Sequence, residues 1–415
     1  MIIPSIDLLN GQAVQLVGGR EPRIEAGDPR PIAERFRLAG EIAVIDLDAA
    51  RGTGHNRTII EELVRIAPCR VGGGIRDVDT ARHWLDAGAR RIILGTAATP
   101  EILSHLPRQR VIVALDALHD EVVTHGWTTR SGETVESGMA RLRDLAGGFL
   151  VTFVEREGRM EGTDLGRALA LARAAGDARL TVAGGFTDPG EIATADRAGI
   201  DAQVGMALYS GALHLADAIA APLVSDRPDG LWPTVVVDEH QRALGLAWSD
   251  AASLRAAVDR KAGVYHSRTR GLWIKGETSG ATQDLLRIDP DCDRDALKFT
   301  VRQAGTGFCH LGTRTCWGED AGLPALVRVL AGRLVDAPAG SYTARLLREP
   351  ATLEAKLLEE AGELAVAGTR AEVIHEAADV IYFALIAAVR AGVDLADIEG
   401  ELDRRALAIT RRSTT

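Results

Sequence analysis

Residues 1–220 repeat one pattern eight times, a short apolar run followed by a longer amphipathic stretch. The apolar runs fall at 1–7, 43–48, 69–73, 91–95, 111–116, 149–154, 179–183 and 202–206. Most are rich in Val, Ile and Leu without polar alternation, as parallel strands covered on both faces require. Parallel neighbours are joined by crossovers, so the stretches between them must return across a sheet face as helices. Eight such units in this length fit a compact (β/α)8 TIM barrel, with a doubly wound open sheet as the competing arrangement. The chain continues to residue 415, more than one core supports, so two or three domains are expected.

In a barrel, the residues that end the strands share one mouth. Asp7 ends the first run and Asp116 the fifth, so two carboxylates are expected there. Glycine-rich turns follow four other runs. Gly72-Gly73-Gly74-Ile75-Arg76 and Gly95-Thr96-Ala97-Ala98 follow the third and fourth, and Ala183-Gly184-Gly185-Phe186 and Gly205-Met206-Ala207-Leu208-Tyr209 the seventh and eighth. Each sets backbone N–H groups at a loop or helix start, where phosphate oxygens are stabilised. Taken singly, any of these loops is equally a tight turn. As two pairs about half a barrel apart, they suggest a substrate with a phosphate at each end.

A Pro-rich linker at 221–233 precedes an α+β pattern, with short strands near 234–238, 244–247, 264–266, 271–275, 282–289 and 296–303 and a helix near 250–261. This stretch holds Cys292, Cys309 and Cys316, three of the four cysteines, while Cys69 opens a predicted strand and reads as a core thiol. Thiolates select a soft or borderline metal such as zinc, and the clustered Asp291, Asp293 and Asp295 suit magnesium. The sixteen residues between Cys292 and Cys309 are no zinc-finger spacing, so buried thiols and a solvated acidic turn remain open from spacing alone. Arg268, Arg270, Lys275 and the loop Gly276-Glu277-Thr278-Ser279-Gly280 carry the guanidinium, ammonium and N–H donors that phosphate needs.

A second linker at 318–324 leads into helices predicted near 322–335, 341–347, 350–367, 370–391 and 394–412. Glu360 and Glu363 lie at i and i+3 on one of them, and Glu376 and Asp379 at i and i+3 on the next. The two helices are joined by a short turn, so the acid pairs should oppose each other. An acidic stripe is ordinarily solvated surface, but Ala377, Ala378, Val380 and Ile381 make the second helix strongly apolar, and acids in that setting call for a cation.

The net charge of −10 argues against general nucleic-acid binding. No apolar run reaches the length of a membrane span, and Met-Ile-Ile-Pro-Ser-Ile-Asp lacks the basic start of a signal peptide. With so few cysteines, these features predict a protein of the reducing cytoplasm, with no nucleic-acid or membrane partner.

Three family resemblances join these motifs. Ile3-Pro4-Ser5-Ile6-Asp7-Leu8-Leu9-Asn10-Gly11, Val113-Ala114-Leu115-Asp116 and Gly126-Trp127 make 1–222 resemble the isomerase that converts ProFAR to PRFAR in histidine biosynthesis. The resemblance implies Asp7 as general base and Asp116 as general acid of an Amadori rearrangement, with Trp127, Thr152 and the glycine loops (Gly74, Arg76, Gly95, Thr96, Gly184, Gly185, Gly205) on the substrate. Two positions depart from the family, Glu157-Gly158-Arg159 where Asp-Gly-Thr is usual and Met206 where Lys or Arg is common. The alternative is a non-catalytic barrel serving as scaffold or effector-binding domain.

The order Ser267–Gly280, Asp291–Asp295, Cys309–Cys316 makes 231–318 resemble phosphoribosyl-AMP cyclohydrolase. This implies Zn2+ on Cys292 of one chain and Cys309 and Cys316 of a second, Mg2+ on Asp291, Asp293 and Asp295, and His310 as proton shuttle or ligand-orienting group. Glu-x-x-Glu and Glu-x-x-Asp, with Ser341-Tyr342-Thr343-Ala344 and Asp379-Val380-Ile381-Tyr382, make 322–412 resemble phosphoribosyl-ATP pyrophosphohydrolase, with Mg2+ on Glu360, Glu363, Glu376 and Asp379. Together they imply a multifunctional enzyme acting on phosphoribosyl nucleotides and ProFAR, and a homodimer formed through the middle and C-terminal domains.

Overall fold

The computed structural model describes residues 1–124, 126–318 and 320–410. It divides into two compact units, one running from Met1 to Phe308 and rejoined by the chain from Leu407, the other comprising Cys309–Ala406.

In the first unit eight parallel strands close on themselves. In order they are Ile2–Leu9, Ile42–Asp46, Cys69–Gly72, Arg91–Leu94, Val111–Leu118, Gly148–Phe153, Arg179–Ala183 and Ile200–Val204. Each pairs with the next, and Ile2–Pro4 pairs with Ala202–Val204 to shut the barrel. This excludes the open sheet, which leaves two edges unpaired. Alternate side chains point inward, where Ile93, Ile112, Leu150 and Ala183 pack on the axis, and outward, where Val44, Val71, Val113 and Val151 meet the helices.

Near the strand starts the interior is ionic. Arg70 is almost fully buried and donates to Glu41 Oε2 at 2.8 Å, Thr181 Oγ1 at 2.8 Å and Asp201 Oδ2 at 3.0 Å. Arg179 binds Asp201 through two donors, and the Met1 amino group reaches Asp201 and Asp196. A buried charge survives only when paired this fully.

Two antiparallel hairpins extend from strand ends at the mouth, Gln12–Val17 with Glu21–Gly27 and Glu121–Thr124 with Thr129–Thr134. The sequence pattern did not predict them, because each follows within a few residues of a barrel strand and its short buried runs, Ala13–Leu16 and Val122–Val123, merge with that strand's apolar signal. They raise walls around the barrel opening.

The first unit continues into a four-stranded sheet in the order Ala243–Ser249, Trp232–Asp238, Leu297–Gln303, Gln283–Pro290, the central pair being parallel. Helix Ala251–Arg260 starts at a capping box between Asp250 and Ser253, and a hairpin pairs Val264–Ser267 with Gly271–Ile274. Tyr265, Phe299 and Leu254 fill its core.

The second unit is all-α, with helices Gly322–Val335, Tyr342–Arg348, Pro350–Val366, Arg370–Arg390 and Leu395–Leu407. Ser341 caps the second, and a Thr369/Glu372 capping box starts the fourth immediately after Gly368, which fixes the short turn between the acid-bearing helices. Leu330, Leu346, Leu353, Phe383 and Ile386 form its core. The last helix stops at Leu407 rather than 412, and residues 411–412 lie outside those described.

Candidate active sites

Asp7 and Asp116 end the first and fifth barrel strands and reach the mouth, as expected. Burial pushes the Asp7 carboxyl up to about 7. Asp116 is raised too, but Trp127 and Thr152 donate hydrogen bonds that favour its carboxylate. Thr152 sits directly across from Asp116 in the strand register, which is why the two meet. Trp127 holds a left-handed backbone, and its ring covers Gly19 of the first hairpin, where an added Cβ would fall 2.4 Å from the indole.

Glu157 is a third acid of the mouth. Burial and the charges of Asp7 and Asp116 push it up to about 8. Its backbone oxygen accepts from Gly18 N at 3.2 Å, tying the sixth-strand loop to the first hairpin. From the sequence it registered only as a departure from a family pattern, since nothing local shows which side chains a loop will meet. Burial raises all three carboxyls, and the charges of Asp7 and Asp116 raise Glu157 further, so the mouth favours protonated acids beside ionised ones.

The glycine loops after strands seven and eight line one hollow with Ser5, Gly158, Gln203 and Met206. Gly184 (φ +98°) and Gly185 (φ +93°) take left-handed conformations, and a Cβ on Gly184 would stand 2.6 Å from Phe153 O. A Cβ on Gly205 would meet Gln15 Oε1 at 2.4 Å. Gln203 turns a buried oxygen without a partner toward this hollow. Met206 opens a short helix here, so the cradle offers backbone amides where an Arg or Lys is absent. Replacing Gly184 by Ala is expected to cost about 1–3 kcal/mol in urea unfolding and to raise KM for a doubly phosphorylated substrate.

On the opposite pair of loops, Gly95 and Thr96 are exposed and open. Gly74 (φ +71°) is required by packing, since its Cβ would lie 2.4 Å from Ala49 Cβ. Arg76 spends its guanidinium on the carbonyls of Ala49 and Ala50 at 3.0 and 3.1 Å, at an exposed position beside this loop.

In the middle domain, Gly276 O accepts from Gly280 N at 2.9 Å and closes a loop with Glu277, Thr278 and Ser279 exposed at its tip. Arg268 lies over Trp248 and Arg270 over Trp273, both exposed. Lys275 is a correction. It is buried, with Nζ bonded to Ala281 O at 3.2 Å and Gly307 O at 3.4 Å, so it braces the loop from beneath instead of meeting a phosphate. A buried ammonium must satisfy its donors, and these carbonyls accept from it.

Asp291, Asp293 and Asp295 bring carboxylate oxygens within 4.8 Å of one another. Asp291 is held below its ordinary range, chiefly by the N–H groups of Ala296 and Asp295, whereas the charge of Asp293 raises Asp295. Cys292 is exposed beside them. In the second unit, the Cys309 thiol is lowered by the N–H of Leu311, by Thr313 and by Cys316, and His310 Nδ1 stands 4.0 Å from Cys309 Sγ. A thiol biased toward thiolate beside a second thiol and an imidazole fits zinc.

On the helices, Glu360, Glu363 and Glu376 converge within 4.8 Å. Glu360 is buried, and Glu376 Oε2 is buried with no partner while burial, then the charges of Glu363 and Glu360, raise the Glu376 pKa. An unpartnered carboxylate oxygen among acids fits a hard divalent cation. Asp379 is outside this group. One turn further along, its shorter side chain pairs with His375 Nε2 at 3.6 Å. Thr343 and Tyr382 share a hydrogen bond at 2.7 Å, joining two motifs singled out from the sequence.

These features define a (β/α)8 barrel with glycine loops around an acidic mouth, carried in one chain with an all-α module that gathers three glutamates. The family model described as histidine biosynthesis protein matches residues 1–214, and the chain belongs to that family. Models for phosphoribosyl-AMP cyclohydrolase and phosphoribosyl-ATP pyrophosphohydrolase match residues 245–318 and 323–406. A histidine biosynthesis trifunctional protein of Neurospora crassa is 39% identical over 82% of this chain and 37% of its own length. A histidine biosynthesis bifunctional protein of Schizosaccharomyces pombe is 50% identical over 48% of each chain. A phosphoribosyl-substituted imidazole-4-carboxamide isomerase of Deinococcus radiodurans is 38% identical over 51% of this chain and 94% of its own. The chain thus spans less than two fifths of the Neurospora relative.

Proposed function

We propose that this chain catalyses three consecutive steps of histidine biosynthesis, with domains at 1–222, 231–318 and 322–412. The helical domain hydrolyses phosphoribosyl-ATP to phosphoribosyl-AMP and pyrophosphate. The middle domain opens the adenine ring of phosphoribosyl-AMP to give ProFAR, and the barrel isomerises ProFAR to PRFAR. The observation that carries the reading is the mouth of the barrel, where Asp7, Asp116 and Glu157 are buried with raised carboxyl pKa values beside a glycine-lined hollow. A pure scaffold would bear the cost of such burial with nothing in return.

In the barrel, the glycine loops anchor the two phosphates and stretch the substrate across the mouth. Asp116 gives a proton to the furanose ring oxygen and opens the ring. Asp7, with a carboxyl pushed up to about 7, removes the proton from C2 of the opened imine, and the resulting enaminol gains a proton at C1 and loses one from its C2 hydroxyl to give the aminoketose. Thr152 and Trp127 orient Asp116 throughout.

In the middle domain, Cys292, Cys309 and Cys316 would hold zinc, with Cys292 from one protomer and the other two from its partner. Bound there, zinc activates water for attack on the purine ring. His310, beside Cys309, would move a proton there, and Arg268, Arg270 and the loop tip 277–279 would steady the phosphates. In the helical domain, Glu360, Glu363 and Glu376 would hold magnesium, which screens the triphosphate. Zinc removal by a strong chelator, or Cys309→Ser, is expected to abolish ring opening and leave pyrophosphate release intact, which metal analysis alongside product chromatography reads directly.

Apolar side chains on the helices, Val335, Leu358, Val366 and Ile374, are exposed and support a homodimer. Among the described residues no helix is long and apolar enough to cross a membrane, which accords with a cytoplasmic enzyme.

Each activity is tested separately by supplying phosphoribosyl-ATP, phosphoribosyl-AMP or ProFAR alone. Turnover of all three is expected. Inert ProFAR with the other two consumed would make the barrel a scaffold.

A further inference from the structure

The acidic loop 291–295 carries its own competitor. Arg294 sits between Asp293 and Asp295 in sequence, a cation in the midst of the acids that would take a divalent ion. In the structure it is turned away. Its guanidinium grips Asp196 of the barrel with a two-pronged contact, Nε to Oδ2 at 2.8 Å and Nη2 to Oδ1 at 3.1 Å, and its remaining nitrogen donates to the Asp291 carbonyl. Asp196 provides Arg294's ion pair, and that carboxylate is largely buried. Asp196 lies at the end of helix Pro189–Arg197, just before the eighth strand and so at the barrel end opposite the mouth.

The loop conforms to this grip. Arg294 holds a left-handed backbone (φ +67°), a conformation an arginine adopts only under constraint. Its carbonyl accepts from Val224 N at 2.8 Å, in the linker between barrel and middle domain. With Arg294 drawn outward, the amides of Asp295 and Ala296 close on Asp291 Oδ1 at 3.0 and 3.2 Å, and the three carboxylates gather.

We infer that Asp196 is a positioning residue for the middle domain's cation site. It draws the Arg294 guanidinium onto the barrel and leaves Asp291, Asp293 and Asp295 free for a divalent cation. The inference rests on the reading of that loop as a cation site. It gives the barrel a second task, independent of its own mouth, and makes the fused barrel part of the neighbouring site.

Mn2+ binding to the full chain tests it, in a Glu360→Gln background that disables the helical acids. Electron paramagnetic resonance counts free ion, and circular dichroism confirms folding. Mn2+ binding that Asp293→Asn removes identifies the loop site. Asp196→Asn is expected to weaken that site about tenfold, as a freed guanidinium turns onto the acids. Adding Arg294→Gly, which suits the left-handed backbone and removes the competing cation, is expected to restore affinity to within about threefold of the background. A merely structural Asp196 would leave the double variant as weak as the single one, or weaker. That result, or unchanged affinity in Asp196→Asn, overturns the inference. Absence of any Mn2+ binding sensitive to Asp293→Asn overturns the cation-site reading itself, and the inference with it.

Discussion

Asp7→Asn is expected to abolish conversion of ProFAR to PRFAR, by about a thousandfold or more, and at the same time to make the protein more stable above neutral pH. Both effects follow from one fact, that burial holds the folded carboxyl near 7 while an unfolded Asp titrates near its ordinary 3.8. Below pH 3.8 both states are protonated, and the acid costs folding nothing. As pH rises from there to about 7 the unfolded chain loses its proton first, so the wild type loses stability across that window, and the loss levels off once the folded acid has ionised. With water at the open mouth, the penalty at pH 8 is about 2 kcal/mol, which Asn would not bear. Urea unfolding at pH 4 and pH 8 separates the variants, with equal stability at the first and a more stable Asp7→Asn at the second. The isomerase rate of the wild type should fall on the acid side as Asp7 protonates near pH 7. A rate that is flat through this range would remove Asp7 from the role of base.

Glu376→Gln should be as damaging to a different step. Glu376 Oε2 is buried without a partner beside Glu360 and Glu363, and burial, then the charges of those acids, raise its pKa. Without a cation the group is self-repelling, so the amide should be neutral or favourable for stability. With magnesium the sign reverses, because only the carboxylate can ligate it. Added Mg2+ is therefore expected to raise the melting temperature of the wild type and not that of Glu376→Gln. Pyrophosphate release from phosphoribosyl-ATP should fall by about a thousandfold in the variant. Because a raised carboxyl pKa means protons compete with the cation, Mg2+ affinity should also weaken as pH drops. Equal thermal shifts in both proteins would remove Glu376 from the cation site.

The barrel was legible because uninterrupted apolar runs have few other uses, and all eight predicted strands formed within two residues of the expected ends. The acid-bearing helices were legible for a similar reason, since the spacing of Glu360 and Glu363 fixes a face and Thr369 fixes the turn. Side-chain destinations were less so. Lys275 looked like a phosphate ligand because its ammonium stands in a cationic, glycine-containing segment, yet it is buried, with Ala281 and Gly307 offering carbonyls. Asp379 shares a helix face with Glu376 but lies outside the cluster of three glutamates, where it pairs with His375. Glu157 and Asp196 act through residues far away in the chain, on the mouth in one case and on Arg294 in the other. No local pattern announces such partners.

The central claim is that one chain carries phosphoribosyl-ATP through three steps. It is tested most directly by incubating the purified chain with phosphoribosyl-ATP, Mg2+ and Zn2+ and separating the products by chromatography, since ProFAR and PRFAR have the same mass. The account predicts that PRFAR accumulates and that phosphoribosyl-AMP and ProFAR appear only in passing. Accumulation of ProFAR with no PRFAR would contradict it, and would leave the acids of the barrel mouth without the chemistry assigned to them.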